Sequence, residues 1–143
     1  MSRKPNRVKI NGIYRQIYYI NDGILDGMDE KMAGIYVLAC IKSGSMYVGS
    51  SSNIRSRVMS HFRKLKKGSH TNYKLSKAYS QYPSRWALIV METVSGLTQT
   101  ETYRLENAYL KRPEYDLNID RSAFAPFKRW KDRQMETPNN NQR

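Results

Sequence analysis

The chain has 143 residues, 39% of them hydrophobic, with a single cysteine and a formal net charge of +13. That length supports one modest core but not two; lone Cys40 excludes an internal disulfide, and no stretch reaches the ~20 apolar residues of a membrane span. Between Glu30 and Glu92 there is no acidic residue and there are 11 Lys and Arg, a one-sided charge that suits a polyanion, with nucleic acid the first candidate.

An anionic membrane or ribosomal RNA would satisfy the same charge, so charge alone does not choose. The N-terminus has no apolar signal core, and the chain reads as soluble and intracellular with no targeting signal. Cys40, His61 and His70 lack the paired short spacings of a closed zinc site.

Residues 1–32 read as an N-terminal extension, a hairpin followed by an acidic linker. In "RVKINGIYRQIYYI" (7–20) an Asn-Gly pair sits between β-prone flanks, the strongest short signal for a two-residue turn. "NDGILDGMDE" (21–30) carries two Asp/Gly turn signals. From Ala33 the texture changes. "GIYVLACI" (34–41) and "MYVG" (46–49) read as strands joined by the turn "KSGS". A tight turn centred on Ser43-Gly44 puts Tyr36, Tyr47 and Gly49 on one face, where the glycine would leave room for a ligand, and Ile35, Val37, Ala39 and Ile41 on the other. "SSNIRSRVMSHFRKLKKG" (51–68) reads as a helix capped by Ser51 or Ser52 and ended at Gly68, with Ile54, Val58, Phe62 and Leu65 as its buried stripe. Asn53, Arg57 and His61 recur every four residues as a polar stripe beside it. "TNYKLSKAYSQYP" (71–83) predicts a shorter helix with Leu75, Ala78, Tyr79 and Tyr82 inward, and "RWALIVMETV" (85–94) a third strand. "TQTETYRLENAYLKRP" (98–113) opens on the capping box Thr98-x-x-Glu101. Residues 121–143 read as a basic, partly disordered tail.

An Arg and a His flanked by two tyrosines, with a carboxylate from a later helix, are parts that a phosphodiester hydrolase needs. Arg presents a planar fork to charge developing on phosphorus, and Tyr or His can take a proton from water. The nearby acids are Glu92, Glu101 and Glu106. Glu101 and Glu106 lie ~140° apart around one helix, so they cannot share an ion. The capping box explains Glu101 and leaves Glu106 as the free carboxylate. A single acid suits one hard cation that keeps several waters.

The ordered set "GIY" (34–36), "YVG" (47–49), Arg57, His61 and "ENAYL" (106–110) resembles the GIY-YIG nuclease superfamily. The likeness is nearest to the nuclease domains of phage homing endonucleases. "HFRKLKKGSHTNYKL" (61–75) and "YDLNI" (115–119) share it, and it spans about residues 33–120. The resemblance implies an α+β fold, a small three-stranded antiparallel sheet flanked by about three helices, with the extension preceding it. It implies a catalytic set of Tyr36, Tyr47, Arg57, His61 and Glu106, with Gly49, His70 and Asn118 in support. It implies one Mg²⁺ (or Mn²⁺) per active site on Glu106 and double-stranded DNA as partner, with Asn53, Arg55, Arg63, Lys64, Lys66, Lys67, Lys74 and Lys77 as expected contacts. No membrane partner is expected.

The expected activity is that of a homing-type DNA endonuclease in the cytoplasm of a bacterial or phage-infected cell. Alternatives are a restriction-like or structure-specific repair nuclease of the same fold, or a non-catalytic basic nucleic-acid binder. Tyr47 is the favoured general base, with Tyr36 and His61 left open. One catalytic set cuts one strand at a time, so a dimer assembled on DNA or sequential nicking is expected. The first Gly-Ile-Tyr, at 12–14, is assigned to the hairpin turn and the second, at 34–36, to the site.

Overall fold

The computed structural model describes residues 6–28 and 31–119; the tail at 121–143 and the end of the acidic linker lie outside them. Asn11 and Gly12 take φ of 51° and 80°, the left-handed pair that a two-residue hairpin turn demands. They join β1 (Asn6–Ile10) to β2 (Ile13–Asn21), with Ile10 paired to Ile13. The first Gly-Ile-Tyr is therefore turn and return strand, and Tyr14 is exposed. A second turn at Asp22-Gly23 folds β3 (Ile24–Leu25) back on β2.

β4 (Gly34–Cys40) and β5 (Met46–Ser51) form the next hairpin, followed by α1 (Ile54–Lys67), α2 (Tyr73–Gln81), β6 (Arg85–Thr93) and α3 (Gln99–Leu110). The sheet is antiparallel in the order β1-β2-β6-β4-β5, with β3 also on β2. It has six strands where three were expected. β6 pairs with β4 along one edge, and its other edge is covered by residues 17–21. The N-terminal hairpin thus completes the domain's own sheet instead of leaving a bare edge.

Alternation along the central strands builds two cores. Tyr36, Leu38 and Cys40 of β4 and Trp86, Leu88 and Val90 of β6 meet Ile54, Val58, Phe62 and Leu65 of α1 and Leu75 of α2. Ile35, Val37, Val48, Ile89 and Met91 meet Tyr109, Leu110 and Tyr115 on the opposite face. With both faces covered, β4 and β6 read as continuous apolar runs.

The β4–β5 register differs from the expected one by two residues. Tyr36 pairs with Gly49 and Leu38 with Tyr47, because the connection is a wider loop in which Gly44 N–H donates to Cys40 O (2.8 Å) and Cys40 N–H to Ser45 O (2.9 Å). A two-residue slip preserves facing, so Tyr36 and Tyr47 still share a side. Ile41 falls in the loop and is exposed.

α1 begins one residue later than expected. Asn53 is its N-cap, accepting from Ser56 N–H at 3.2 Å, while Ser51 Oγ accepts from Asn53 N–H at 3.0 Å. Gly68, at φ 74°, ends it. On α2, Leu75 and Ala78 are buried and Tyr79 packs against the core, whereas Tyr82 is exposed. The capping box on α3 is present as read.

Candidate active site

β4 and β5 carry Tyr36 and Tyr47 on the sheet face that α1 crosses, their ring centroids 6.5 Å apart. α1 turns Arg57, His61 and Lys64 toward them, and α3, beside the β5 edge, contributes Glu106. With His70, Asn72 and Asn118 these side chains line a cleft of about 710 Å³. Asn118 holds the outer edge of β5. Its Oδ1 accepts from Val48 N–H (2.9 Å) and its Nδ2 donates to Val48 O (2.8 Å). The side chain thus mimics a neighbouring strand between Tyr47 and Gly49 and fixes their backbone.

Gly49 leaves room for Tyr36 and not for a ligand, a correction that the register explains. A Cβ at Gly49 would stand 2.8 Å from Tyr36 Oη and 2.9 Å from Cζ. Gly34 is similarly constrained, since a Cβ there would lie 2.0 Å from Glu92 O, beside the β-bulge at Ile35/Tyr36. Both glycines of the motif are required by close approach.

Tyr36 is 1% exposed, and its hydroxyl ends a chain of rings. Tyr36 Oη lies 2.9 Å from His61 Nε2, His61 Nδ1 lies 2.8 Å from His70 Nε2, and His70 Nδ1 accepts from Asn72 N–H at 3.0 Å. A backbone N–H can only donate, which sets the direction of the chain. Neutral His70 therefore carries its proton on Nε2 and donates to His61 Nδ1. Neutral His61 then donates from Nε2 to Tyr36, and Tyr36 donates onward to Tyr47.

Burial, then His70 and the cations Arg57 and Lys64, hold the His61 pKa down to about 3. Burial and Lys64 lower His70 as well. Burial raises the Tyr36 hydroxyl well above the ordinary tyrosine range, with Tyr47 adding to the effect. At neutral pH both imidazoles are uncharged and Tyr36 keeps its proton.

Of the three acids considered from sequence, Glu106 alone lines the cleft. Ser50 Oγ donates to its Oε1 at 2.6 Å. Burial raises its pKa, while the Ser50 bond and Arg57 pull it down. Glu101 is spent on the cap. Glu92 projects from the opposite face of the sheet, where Tyr109 Oη donates to it at 2.5 Å and Arg15 pairs with it at 3.7 Å. Among the described residues no group of three or more His, Cys, Asp and Glu could hold a metal.

The basic residues divide. Lys64 lines the cleft, whereas Arg55, Arg63, Lys66 and Lys67 line a separate groove on the other flank of α1. Lys74 and Lys77 stand on α2 outside the cleft lining. The Asn53 side chain is occupied by its capping bond. Two contributors escaped the sequence reading. Ser50 had a signal only in its place after Gly49. Asn72 had one in its cap position before "YKL", where its Oδ1 accepts from Leu75 N–H at 3.0 Å.

A family model described as the GIY-YIG catalytic domain matches residues 32–115. Intron-associated endonuclease 1 of Enterobacteria phage T4 is 27% identical over 95 residues, which cover 66% of this chain and 38% of that protein. The match therefore spans well under half of the relative's length. Two solved structures, the catalytic domain of homing endonuclease I-TevI and a mutant of the catalytic domain of intron endonuclease I-TevI, share the fold with a TM-score of 0.52 at 24% identity. They cover 55% and 56% of this chain, and 85% and 81% of their own. No helix among the described residues is long and apolar enough to cross a membrane.

Proposed function

The chain belongs to the GIY-YIG catalytic-domain family, and from that premise we propose that it is a metal-dependent DNA endonuclease of the homing type. The observation that carries this reading is the convergence of Tyr36, Tyr47, Arg57, His61 and Glu106 on one cleft from four elements of the fold. A simple nucleic-acid binder has no use for a half-buried carboxylate in so basic a surface, where its desolvation is a cost without a return.

In this reading a phosphodiester enters the cleft beside Arg57, whose planar guanidinium can pair with two non-bridging oxygens and stabilise the charge that builds on phosphorus. Tyr47, having first lost its own proton to solvent, takes the proton of the attacking water as a phenolate. The burial and raised pKa of Tyr36 disfavour it in that role. His61 is disfavoured because its Nδ1 lone pair accepts from His70 and its pKa is about 3. Their task is positional. The chain of donors from Asn72 N–H through His70, His61 and Tyr36 converges on the Tyr47 oxygen and stabilises its phenolate. The water oxygen forms the new bond to phosphorus, the P–O bond on the far side breaks, and the leaving oxygen takes a proton from solvent.

Glu106 fits a divalent cation. It is a hard oxygen donor in the cleft whose pKa is raised by burial, so a bound cation would favour its ionised form. One Mg²⁺ or Mn²⁺ held there, with water completing its shell, would supply Lewis-acid stabilisation of the leaving oxygen. Incubation with supercoiled plasmid in Mg²⁺ and in EDTA tests the reading. Nicked and then linear DNA is expected in Mg²⁺ only, the nicked form first at low protein concentration, because one catalytic set cuts one strand at a time. Absence of cleavage on supercoiled, linear, branched and single-stranded DNA alike would leave the binder alternative.

A further inference from the structure

α1 is divided lengthwise into four faces. At about 100° per residue, Ile54, Val58, Phe62 and Leu65 form one quadrant, and Arg57, His61 and Lys64 the next. Arg55, Met59 and Lys66 lie roughly opposite Arg57, with Arg63 beside them, and Ser56, Ser60 and Lys67 form the crest between the two basic flanks. The first quadrant is buried in the core and the second faces the cleft. The third lines a groove of about 580 Å³ between α1 and the β2–β3 turn, whose other wall is Gly23–Leu25. That groove has exposed cations along one side and an apolar floor, with Ile24 66% and Met59 42% exposed.

We propose that α1 inserts its Ser56–Ser60 crest into the major groove of a DNA duplex, with the scissile strand in the cleft and the backbone of the complementary strand in the Arg55/Arg63/Lys66 groove. This rests on the nuclease reading and adds to it a duplex requirement and a second contact surface. The dimensions agree, since a helix about 10–12 Å across enters a major groove about 12 Å wide. A helix so placed has one phosphate backbone on each flank. The cations from Arg55 to Lys66 extend over about 16 Å of helix axis, enough to address successive phosphates of one strand. The exposed Ile24 and Met59 side chains offer an apolar surface to the deoxyribose faces between those phosphates. The crest carries small hydroxyl side chains that do not obstruct the groove floor. A single strand has no second backbone and fills the cleft alone.

The test is binding read in EDTA, without turnover. Fluorescence anisotropy gives the affinity for a duplex and for one of its strands between about 50 and 200 mM salt, where each duplex phosphate contact contributes about 0.9 to the log–log slope. The triple variant Arg55→Gln, Arg63→Gln, Lys66→Gln should lower the duplex slope by about 2.7, equivalent to about 40-fold less affinity lost over that salt range. Its single-strand slope should stay within about one of wild type. A control with Arg7→Gln, Lys9→Gln and Lys42→Gln removes as much charge elsewhere and should lower the duplex slope by less than one contact, about 0.9. An unchanged duplex slope in the triple variant would overturn the proposal. So would equal losses on duplex and single strand, or an equal loss in the control. A protein that binds as expected yet cuts nothing would instead overturn the nuclease reading alone.

Discussion

Replacing Gly49 by Ala adds one methyl group at the most crowded point of the cleft. The new Cβ would stand 2.8 Å from Tyr36 Oη and 2.9 Å from Cζ, so the ring must retreat about 0.6 Å to reach ordinary contact of ~3.4 Å. Tyr36 is 1% exposed and has no solvent to retreat into, and overpacking of this kind costs about 1–3 kcal/mol. The retreat also stretches the 2.9 Å bond to His61 Nε2 toward its limit and turns the Tyr36 hydroxyl away from Tyr47. Displacements near 1 Å cost catalysts up to about 100-fold, and a loss of roughly 10- to 100-fold in single-turnover nicking is expected. Thermal unfolding should show a fall of a few degrees. In a Tyr36→Phe background the hydroxyl is already gone, so Gly49→Ala should cost much less additional rate, and a double-mutant cycle would register the coupling. A folded Gly49→Ala that nicks at the wild-type rate, or one that loses the same factor in both backgrounds, would refute the argument.

Tyr14→Phe should leave cleavage intact while Gly12→Ala lowers the melting temperature, because Gly12 at φ 80° serves only the turn; loss of cleavage by folded Tyr14→Phe would reverse the assignment of the two tripeptides. Arg57→Lys should cut single-turnover cleavage severely, since a point charge does not replace a planar fork; survival of the rate would make Arg57 a simple phosphate contact. His61, with its folded pKa near 3 against an ordinary 6.5, is protonated first in the unfolded chain, so its contribution to stability is lost as pH falls from about 6.5 toward 3. Glu106 acts in the opposite sense, since its pKa is raised; the comparison of wild type with His61→Asn isolates the histidine, and melting temperature against pH should be flatter in the variant, an equal slope counting against the relay.

Much of this was legible where local chemistry decides. Asn11-Gly12 announced a turn because few residues tolerate its φ, and Thr98 with Glu101 announced a cap because the two groups satisfy each other. The periodicity of Ile54, Val58, Phe62 and Leu65 separated the apolar face of α1 from Arg57 and His61, although His61 proves buried as well. Glu106 emerged by elimination, and it lines the cleft. What escaped depends on distant partners. Nothing in residues 17–21 says that they will pair with 85–89, so a hairpin recognised as such could not be placed in the sheet. The wider loop at 41–45 shifted the β4–β5 register by two, which left the shared face of the tyrosines intact but changed the role of Gly49. The His61–His70 contact spans the Gly68 turn, and its direction is set by the backbone of Asn72, which no pattern of side chains reveals.

Glu106→Gln tests the central claim most directly. The substitution preserves shape and removes the carboxylate, and because burial raises the Glu106 pKa, the neutral side chain should also raise the melting temperature at pH 7. The decisive measurement is single-turnover cleavage of supercoiled plasmid in Mg²⁺, with duplex affinity measured alongside in EDTA. Wild type should nick the plasmid, and the variant should bind the duplex at least as tightly yet leave it uncut. A Glu106→Gln protein that cuts at near the wild-type rate would contradict the account.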